Sequence, residues 1–164
     1  MPKVLFVCTG NLCRSPMAAA LLRHRLASDE RRSDWQVESA GAWVPEPQPA
    51  SGYAVDEMGE RGIDLCTHQS QAVTNALMET ADLVLAMTAH HAEALKNAFP
   101  NHADKVYMLS EMVGRRRYDI KDPYGGRRIE YTRTAAELEQ LIEAGYECIV
   151  GLVEGRDVDD GPQS

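Results

Sequence analysis

Apolar positions along the chain alternate between short continuous runs and helical spacing. Lys3 to Cys8, "KVLFVC", is an unbroken aliphatic and β-branched run of the kind a strand buried on both faces requires. Gly10 and Asn11 break it. From Pro16 the segment "PMAAALLRHRLASDE" carries Leu21, Leu22 and Leu26 at helical spacing, with proline in the first turn and Ser15 as the expected N-cap. "WQVESAG" (Trp35 to Gly41) predicts a second strand, and Pro45, Pro47 and Pro49 an irregular loop after it. "ASGYAVDEMGERG" predicts a helix with Ala54, Val55 and Met58 inward and Gly62 near its C-terminal cap. A short helix "TNALMETA", a third strand "DLVLAM" (Asp82 to Met87) and a helix "AHHAEALKNAF" follow, the last capped by Thr88 and ended by Pro100. "KVYML" (Lys105 to Leu109) predicts the fourth strand. A long amphipathic helix then runs from Ile129 to about Val153, with Leu138, Leu141, Ile142, Ile149 and Val153 as its apolar stripe.

Strands that alternate with helices predict an α/β fold, in which a parallel sheet is covered on both faces. The expectation is a single three-layer domain over residues 1–153, with a four-stranded parallel sheet in doubly wound, flavodoxin-like order. There is no internal repeat and no interdomain linker. The remaining residues 154–164, "EGRDVDDGPQS", are acidic and polar and are expected to be disordered. In sheets of this kind ligands bind outside the carboxyl ends of the strands. Cys8 ends the first strand, which draws attention to the loop that follows it.

Composition narrows the function classes. A chain of 164 residues can bury a core without metals or disulfides. No apolar run reaches the ~20 residues that span a bilayer, and the N-terminus lacks a signal-peptide pattern, so the expected location is the cytoplasm. The net charge of −8 argues against nucleic acid or an anionic membrane as the main partner. Charge is uneven, however. From Arg115 to Arg128 six basic residues face two acidic ones, Asp119 and Asp122. Such a run is usually a solvated loop; the functional reading is a rim that attracts an anionic substrate.

Four cysteines, Cys8, Cys13, Cys66 and Cys148, do not make a disulfide scaffold in a chain of this size. The spacing of Cys8 and Cys13 is not the C-x-x-C of a zinc knuckle, and no second pair supplies further ligands, so no metal site is expected. The loop itself, C-T-G-N-L-C-R-S-P from Cys8 to Pro16, suits another chemistry. A short loop that leads into a helix turns successive N–H groups inward as an anion cradle, and the positive end of the helix dipole points at the same spot. Such a place favours a thiolate. Arg14 adds a planar fork matched to two phosphate oxygens. The loop has one glycine and neither nucleotide-binding pattern, G-x-x-x-x-G-K-[ST] or G-x-G-x-x-G. A lone strand-end cysteine is ordinarily core packing; joined to an oxyanion cradle, Cys8 is placed for covalent phosphoryl transfer.

Phosphoryl transfer from an ester also needs an acid for the leaving oxygen and a base for water, and one carboxyl can serve both. Asp122 in "KDPYGG" is the first candidate, aimed by the turn of Pro123 and two glycines; Asp119 is the second choice. Asp before Pro is equally at home as a turn residue. Tyr124 beside it is either ordinary packing or a wall for an aromatic substrate.

The loop Cys8–Pro16, "ESAG" (Glu38 to Gly41), "GIDLCTH" (Gly62 to His68), "ADLVLAMT" (Ala81 to Thr88) and "DPYGG" (Asp122 to Gly126) occur in this order. Together they resemble the low-molecular-weight protein-tyrosine phosphatases, bacterial branch, from Lys3 to about Val153. The resemblance implies Cys8 as nucleophile, Arg14 as phosphate clamp and Asp122 as general acid and later base. It implies phosphate donors in Thr9, Gly10, Asn11, Leu12, Cys13 and Ser15, and buried polar support of the loop from Asn11, Ser39 and His68. It assigns Cys13 to trapping an oxidised Cys8 as a reversible disulfide. Trp43, after "ESAGA", falls where the family shapes its pocket rim: stacking on a phosphotyrosine and packing in a proline-rich loop are both open. No cofactor is implied. The implied partner is a phosphotyrosine protein, with an autophosphorylating tyrosine kinase or a polysaccharide-export system suggested by bacterial members.

Three alternatives bear on the activity. Arsenate reductases on this fold pass oxidation to a further cysteine pair near the third strand, but "DLVLAMTAHH" has none, and Cys66 and Cys148 lack the short spacing. Protein-arginine phosphatases are similar in "METADLVLAMT" and "DPYGG", yet carry Thr in the slot of Leu12. An aliphatic wall suits the flat face of a phosphotyrosine ring, so tyrosine is the expected substrate and arginine the alternative. A non-catalytic phosphate-binding module would need neither the thiolate nor the acid.

Overall fold

The fold is that of a computed structural model, which describes residues 1–114 and 116–155. Four strands, β1 (Lys3–Cys8), β2 (Gln36–Gly41), β3 (Leu83–Ala86) and β4 (Val106–Met108), form one sheet in the order β2-β1-β3-β4. All neighbours are parallel, with Cys8 opposite Gly41 and Val7 opposite Ala86. Five helices cover the sheet: α1 (Arg14–Ala27), α2 (Gly52–Glu60), α3 (Asn75–Thr80), α4 (Ala89–Ala98) and α5 (Arg128–Val153). The α/β class and the four-stranded parallel sheet are as the apolar runs predict. Elements that begin or end one residue away from the predicted bounds, such as β2 and β3, differ only at fraying ends.

Alternation along β1 divides the interior. Val4, Phe6 and Cys8 join the side-chain cluster that includes α1, α2 and α5, whereas Leu5 and Val7 join the cluster with α3 and α4. Both faces of the strand are thereby dry, which explains its continuous apolar sequence. Helix α1 lies between the sheet and α5; residues 14–22 are buried without a break, so its first half has no polar face. The stripe residues Leu138, Leu141, Ile142 and Ile149 are buried, and Val153 packs at the edge. Val55 likewise packs at the edge of the core rather than inside it. Gly145 lets α5 approach the 3-10 turn Leu109–Met112, since a Cβ there would lie 2.7 Å from Met112 Cβ.

Two ionic clusters built on buried carboxylates tie the two ends of α5 to the rest of the domain. Asp29 accepts hydrogen bonds from Tyr146 Oη (2.8 Å) and from Arg32, and Arg32 also reaches Glu154 at 3.0 Å. Those contacts hold the carboxylate of Asp29 well below its usual range, the Tyr146 bond being the largest cause. Glu154, expected to begin the disordered tail, is thus held against the body; residues 156–164 lie outside the described residues. Glu57, 1% exposed, binds Arg61 (3.1 Å), Arg128 (2.9 Å) and Thr132 and joins α2 to α5.

This second cluster bears on the basic loop. Arg128 also reaches Glu60 (3.1 Å) and Asp56 (3.8 Å), Arg117 pairs with Glu111 (3.2 Å), and Lys121 lies 3.9 Å from Glu130. Three of the charges read as an attractive rim are therefore matched by acids from elsewhere in the chain. Arg115 lies outside the described residues.

Candidate active site

The loop after β1 is held in an unusual shape by its own buried polar groups. Asn11 has φ +59°, the one non-glycine positive φ among the described residues, and its side chain is fully buried. Its Nδ2 donates to Ser15 Oγ (2.8 Å) and Ser39 Oγ (2.9 Å), while its Oδ1 accepts from the Gln71 amide (3.0 Å). Its carbonyl lies 2.8 Å from His68 Nε2. A carbonyl can only accept, so His68 Nε2 carries a proton and donates; burial lowers the pKa of the ring. The structure therefore brings Asn11, Ser39 and His68 together around one strained residue. Gln71, which also donates to the Ser39 carbonyl (3.0 Å), is a fourth member that carried no sequence signal.

Gly41 has a comparable purpose. A Cβ there would sit 2.6 Å from the Thr9 carbonyl and 3.1 Å from the Asn11 amide, so only glycine lets β2 end against the loop. Beyond Gly41 the chain follows the loop, with Ala42 N donating to the Cys8 carbonyl (2.9 Å) and Trp43 N to that of Thr9 (2.9 Å).

Ser15 departs from its predicted place. Helix α1 starts at Arg14 with Cys13 at the N-cap position, and no side chain caps it. Ser15 Oγ instead lies 2.9 Å from Cys8 Sγ. Ser15 accepts from Asn11, and its one proton can go to the sulfur or to the Ala40 carbonyl at 3.4 Å; aimed at the sulfur, it completes an Asn11–Ser15–Cys8 chain of donors ending on the nucleophile candidate. The amides of Arg14 and Ser15, in the first turn of α1, have no intrahelical acceptor and are available to an anion.

Arg14 is 4% exposed, and most of its fork is already aimed. One terminal nitrogen donates to the Ile120 carbonyl (2.8 Å); the other lies 3.5 Å from Thr9 Oγ1 and 3.4 Å from Asp122 Oδ2. Its Nε is buried and finds no acceptor among the described residues, as a donor reserved for a ligand oxygen would.

The acid loop is anchored beside it. Asp119 Oδ1 accepts from the first amide of α4, Ala89 N, at 2.8 Å, and Ile120 N donates to the Met87 carbonyl (3.0 Å). Asp119 thus caps a helix with one carboxylate oxygen and is not among the residues that line the cleft described below. Asp122 Oδ1 accepts from Tyr124 N (3.1 Å) in an Asx-type turn while Oδ2 faces Arg14. It satisfies the turn and the site at once, and at 46% side-chain exposure it can exchange protons with water.

Cys8, Leu12, Cys13, Arg14 and Asp122 line a cleft of about 240 Å³. Trp43 and Tyr124 stand at the same cleft, 71% and 65% exposed, so neither is core packing. Cys13 is buried, with Ser51 Oγ at 3.2 Å and Tyr131 Oη at 3.4 Å. Burial pushes the Cys13 thiol up, and the same surroundings push Tyr131 up to about 12. Ser51 and Tyr131 were not legible in the sequence.

Residues 3–149 match the family described as Low molecular weight phosphotyrosine protein phosphatase. This chain belongs to that family. It is 41% identical over 139 residues to a protein-arginine-phosphatase of Bacillus subtilis, covering 85% of this chain and 91% of the relative. It is 35% identical over 141 residues to a probable low molecular weight protein-tyrosine-phosphatase EpsP of Ralstonia solanacearum, covering 86% and 91%. Among solved structures it superimposes with a TM-score of 0.83 on the YwlE arginine phosphatase, 39% identical and covering 90% of this chain and 95% of that one; the structure is a cysteine-to-serine mutant with a phosphorylated active-site serine. A phosphorylated serine in place of cysteine marks that cysteine as the nucleophile of the relative.

Proposed function

We propose that this protein is a protein-tyrosine phosphatase that works through a phosphocysteine on Cys8. The Cys8 thiolate attacks phosphorus while the aryl oxygen leaves, and Asp122 in its acid form protonates that oxygen. Asp122, now a carboxylate, takes a proton from water; the water oxygen attacks phosphorus, the S–P bond breaks, and Cys8 and inorganic phosphate are released. Arg14 and the amides of residues 9–15 hold the three equatorial oxygens throughout. Ser15 donates to the sulfur as it regains charge.

The observation that carries the substrate choice is Leu12, which lines the cleft together with Cys8 and the two exposed aromatics Trp43 and Tyr124. This apolar slot fits a phenyl ring that must reach the sulfur. Phosphoarginine is a second reading, favoured by the arginine phosphatases at 41% identity and by Glu46, an exposed carboxylate at the same cleft that suits a guanidinium. Attack requires a reduced Cys8, which fits the cytoplasm; among the described residues no helix is long and apolar enough to cross a membrane. A phosphotyrosine protein is the proposed partner, with an autophosphorylating kinase suggested by the family alone.

Phosphotyrosine and phosphoarginine peptides assayed side by side in the presence of a chelator test the reading. Wild type is expected to prefer phosphotyrosine, Leu12→Thr to narrow that preference, and Cys8→Ser to abolish turnover. Wild-type preference for phosphoarginine would overturn the substrate, and an active Cys8→Ser the mechanism.

A further inference from the structure

His91 is the buried titratable group that the mechanism above leaves without a task. It projects from the first turn of α4, whose N-cap is Thr88, and is 5% exposed. Its Nε2 lies 2.8 Å from Thr9 Oγ1, and its Nδ1 is buried without a partner. A buried polar atom left unpaired costs about 1–3 kcal/mol, so a purely packing position would favour an apolar residue. Thr9 is the residue after Cys8, and its hydroxyl lies 3.5 Å from a terminal nitrogen of Arg14.

The donor inventory orders these contacts. Arginine can only donate, so Thr9 Oγ1 accepts from Arg14. Its one hydroxyl proton is free to go to His91 Nε2 when that nitrogen is bare, which is the neutral tautomer of His91 with the proton on Nδ1. Burial first, and the nearby Arg14 charge second, lower its pKa to about 4, against the opposing pull of Asp122 and Asp119; its neighbour His90 adds to the lowering. Arg14 is thus gripped at two points, by the Ile120 carbonyl on one nitrogen and by Thr9 on the other, while its Nε is left for phosphate.

We propose that His91 is a positioning residue which, acting through the Thr9 hydroxyl, fixes the plane of the Arg14 fork for an incoming phosphate. The inference rests on the proposed phosphatase reading only in taking phosphate as the ligand of Arg14. His91 touches neither substrate nor sulfur in this scheme; it sets the direction of one hydroxyl dipole.

The test is a double-mutant cycle read by calorimetric binding of inorganic phosphate, with kcat and KM on phosphotyrosine peptide as a second readout. His91→Leu removes the acceptor and is expected to weaken phosphate about tenfold, the scale of one hydrogen bond to a charged group. Thr9→Val is expected to lose a similar factor. The double variant should lose about tenfold as well rather than about a hundredfold, because both changes break one chain of contacts. His91→Gln, whose amide oxygen can accept from Thr9, should recover to within about threefold of wild type. Wild-type phosphate affinity in His91→Leu, or losses that multiply in the double variant, would overturn the proposal. If His91→Leu does not fold, Thr9→Val decides alone: unchanged affinity overturns it and a tenfold loss supports it. A wild type that binds phosphate but leaves phosphotyrosine peptide intact defeats the substrate reading, and the affinities still judge this one.

Discussion

Replacing Asn11 by alanine tests whether the loop's shape is enforced by that one residue. The side chain makes three buried hydrogen bonds, two donated to Ser15 and Ser39 and one accepted from the Gln71 amide. At about 1 kcal/mol net each these account for roughly 3 kcal/mol, and the Gln71 amide left unpaired adds to that. The backbone contributes separately. At φ +59° asparagine is tolerated, whereas alanine carries a left-handed penalty of about 1–2 kcal/mol. Asn11→Ala is thus expected to lose roughly 4–5 kcal/mol, a third or more of the roughly 5–15 kcal/mol typical of a domain. Asn11→Gly loses the same bonds but not the left-handed penalty, and should recover about 1 kcal/mol of the loss. Urea denaturation of the three proteins, followed by far-ultraviolet circular dichroism, measures both differences. A loss below about 1 kcal/mol for Asn11→Ala would refute the hydrogen-bond account. Glycine and alanine variants of equal stability would refute the backbone account.

Three further outcomes are expected. His91 has its pKa lowered in the folded protein to about 4, so its contribution is fully present above its unfolded value and is lost as pH falls towards 4. Against an unfolded value of about 6.5 the loss is about 3 kcal/mol; denaturation at pH 7 and pH 4 should show it in wild type and not in His91→Gln. Gly41→Ala forces a Cβ into the Thr9 carbonyl at 2.6 Å and should cost more phosphate affinity than any surface glycine change, as calorimetry would show. Asp122→Asn retains an acceptor for the Tyr124 amide but cannot shuttle a proton; kcat on phosphotyrosine peptide should fall about 10²–10³-fold with phosphate affinity at or above wild type.

How far the site could be read in advance follows from the range of its contacts. The nucleophile loop is local: strand end, loop and helix start lie within nine consecutive residues, so Cys8 and Arg14 were legible from chemistry at a fixed spacing. Asp122 stood out as a motif although two meanings, turn residue and acid, competed for it; the structure shows one carboxylate oxygen in the turn and the other facing Arg14. Ser15 misled because a serine before proline at a helix start satisfies the capping rule, and nothing local reveals that its hydroxyl is claimed by Asn11 and Cys8. His91, Gln71 and Tyr131 act through contacts 82, 60 and 118 residues away in sequence, beyond any periodicity.

The basic loop marks the same limit in electrostatics. A count over residues 115–128 sees six positive charges, but the acids that meet Arg128 come from α2, 68 to 72 positions earlier, and Glu111 and Glu130 take Arg117 and Lys121. The cation proposed to hold phosphate is one the count did not include. Arg14 is buried to 4% exposure, where little water screens it, with Nε free of any acceptor among the described residues. Its charge is offset at 3.4 Å by Asp122. Under the proposed function, anion recognition in a chain of charge −8 rests first on this single guanidinium, desolvated and aimed by the Ile120 carbonyl and Thr9, and less on a basic rim in which three of the six charges are matched by acids.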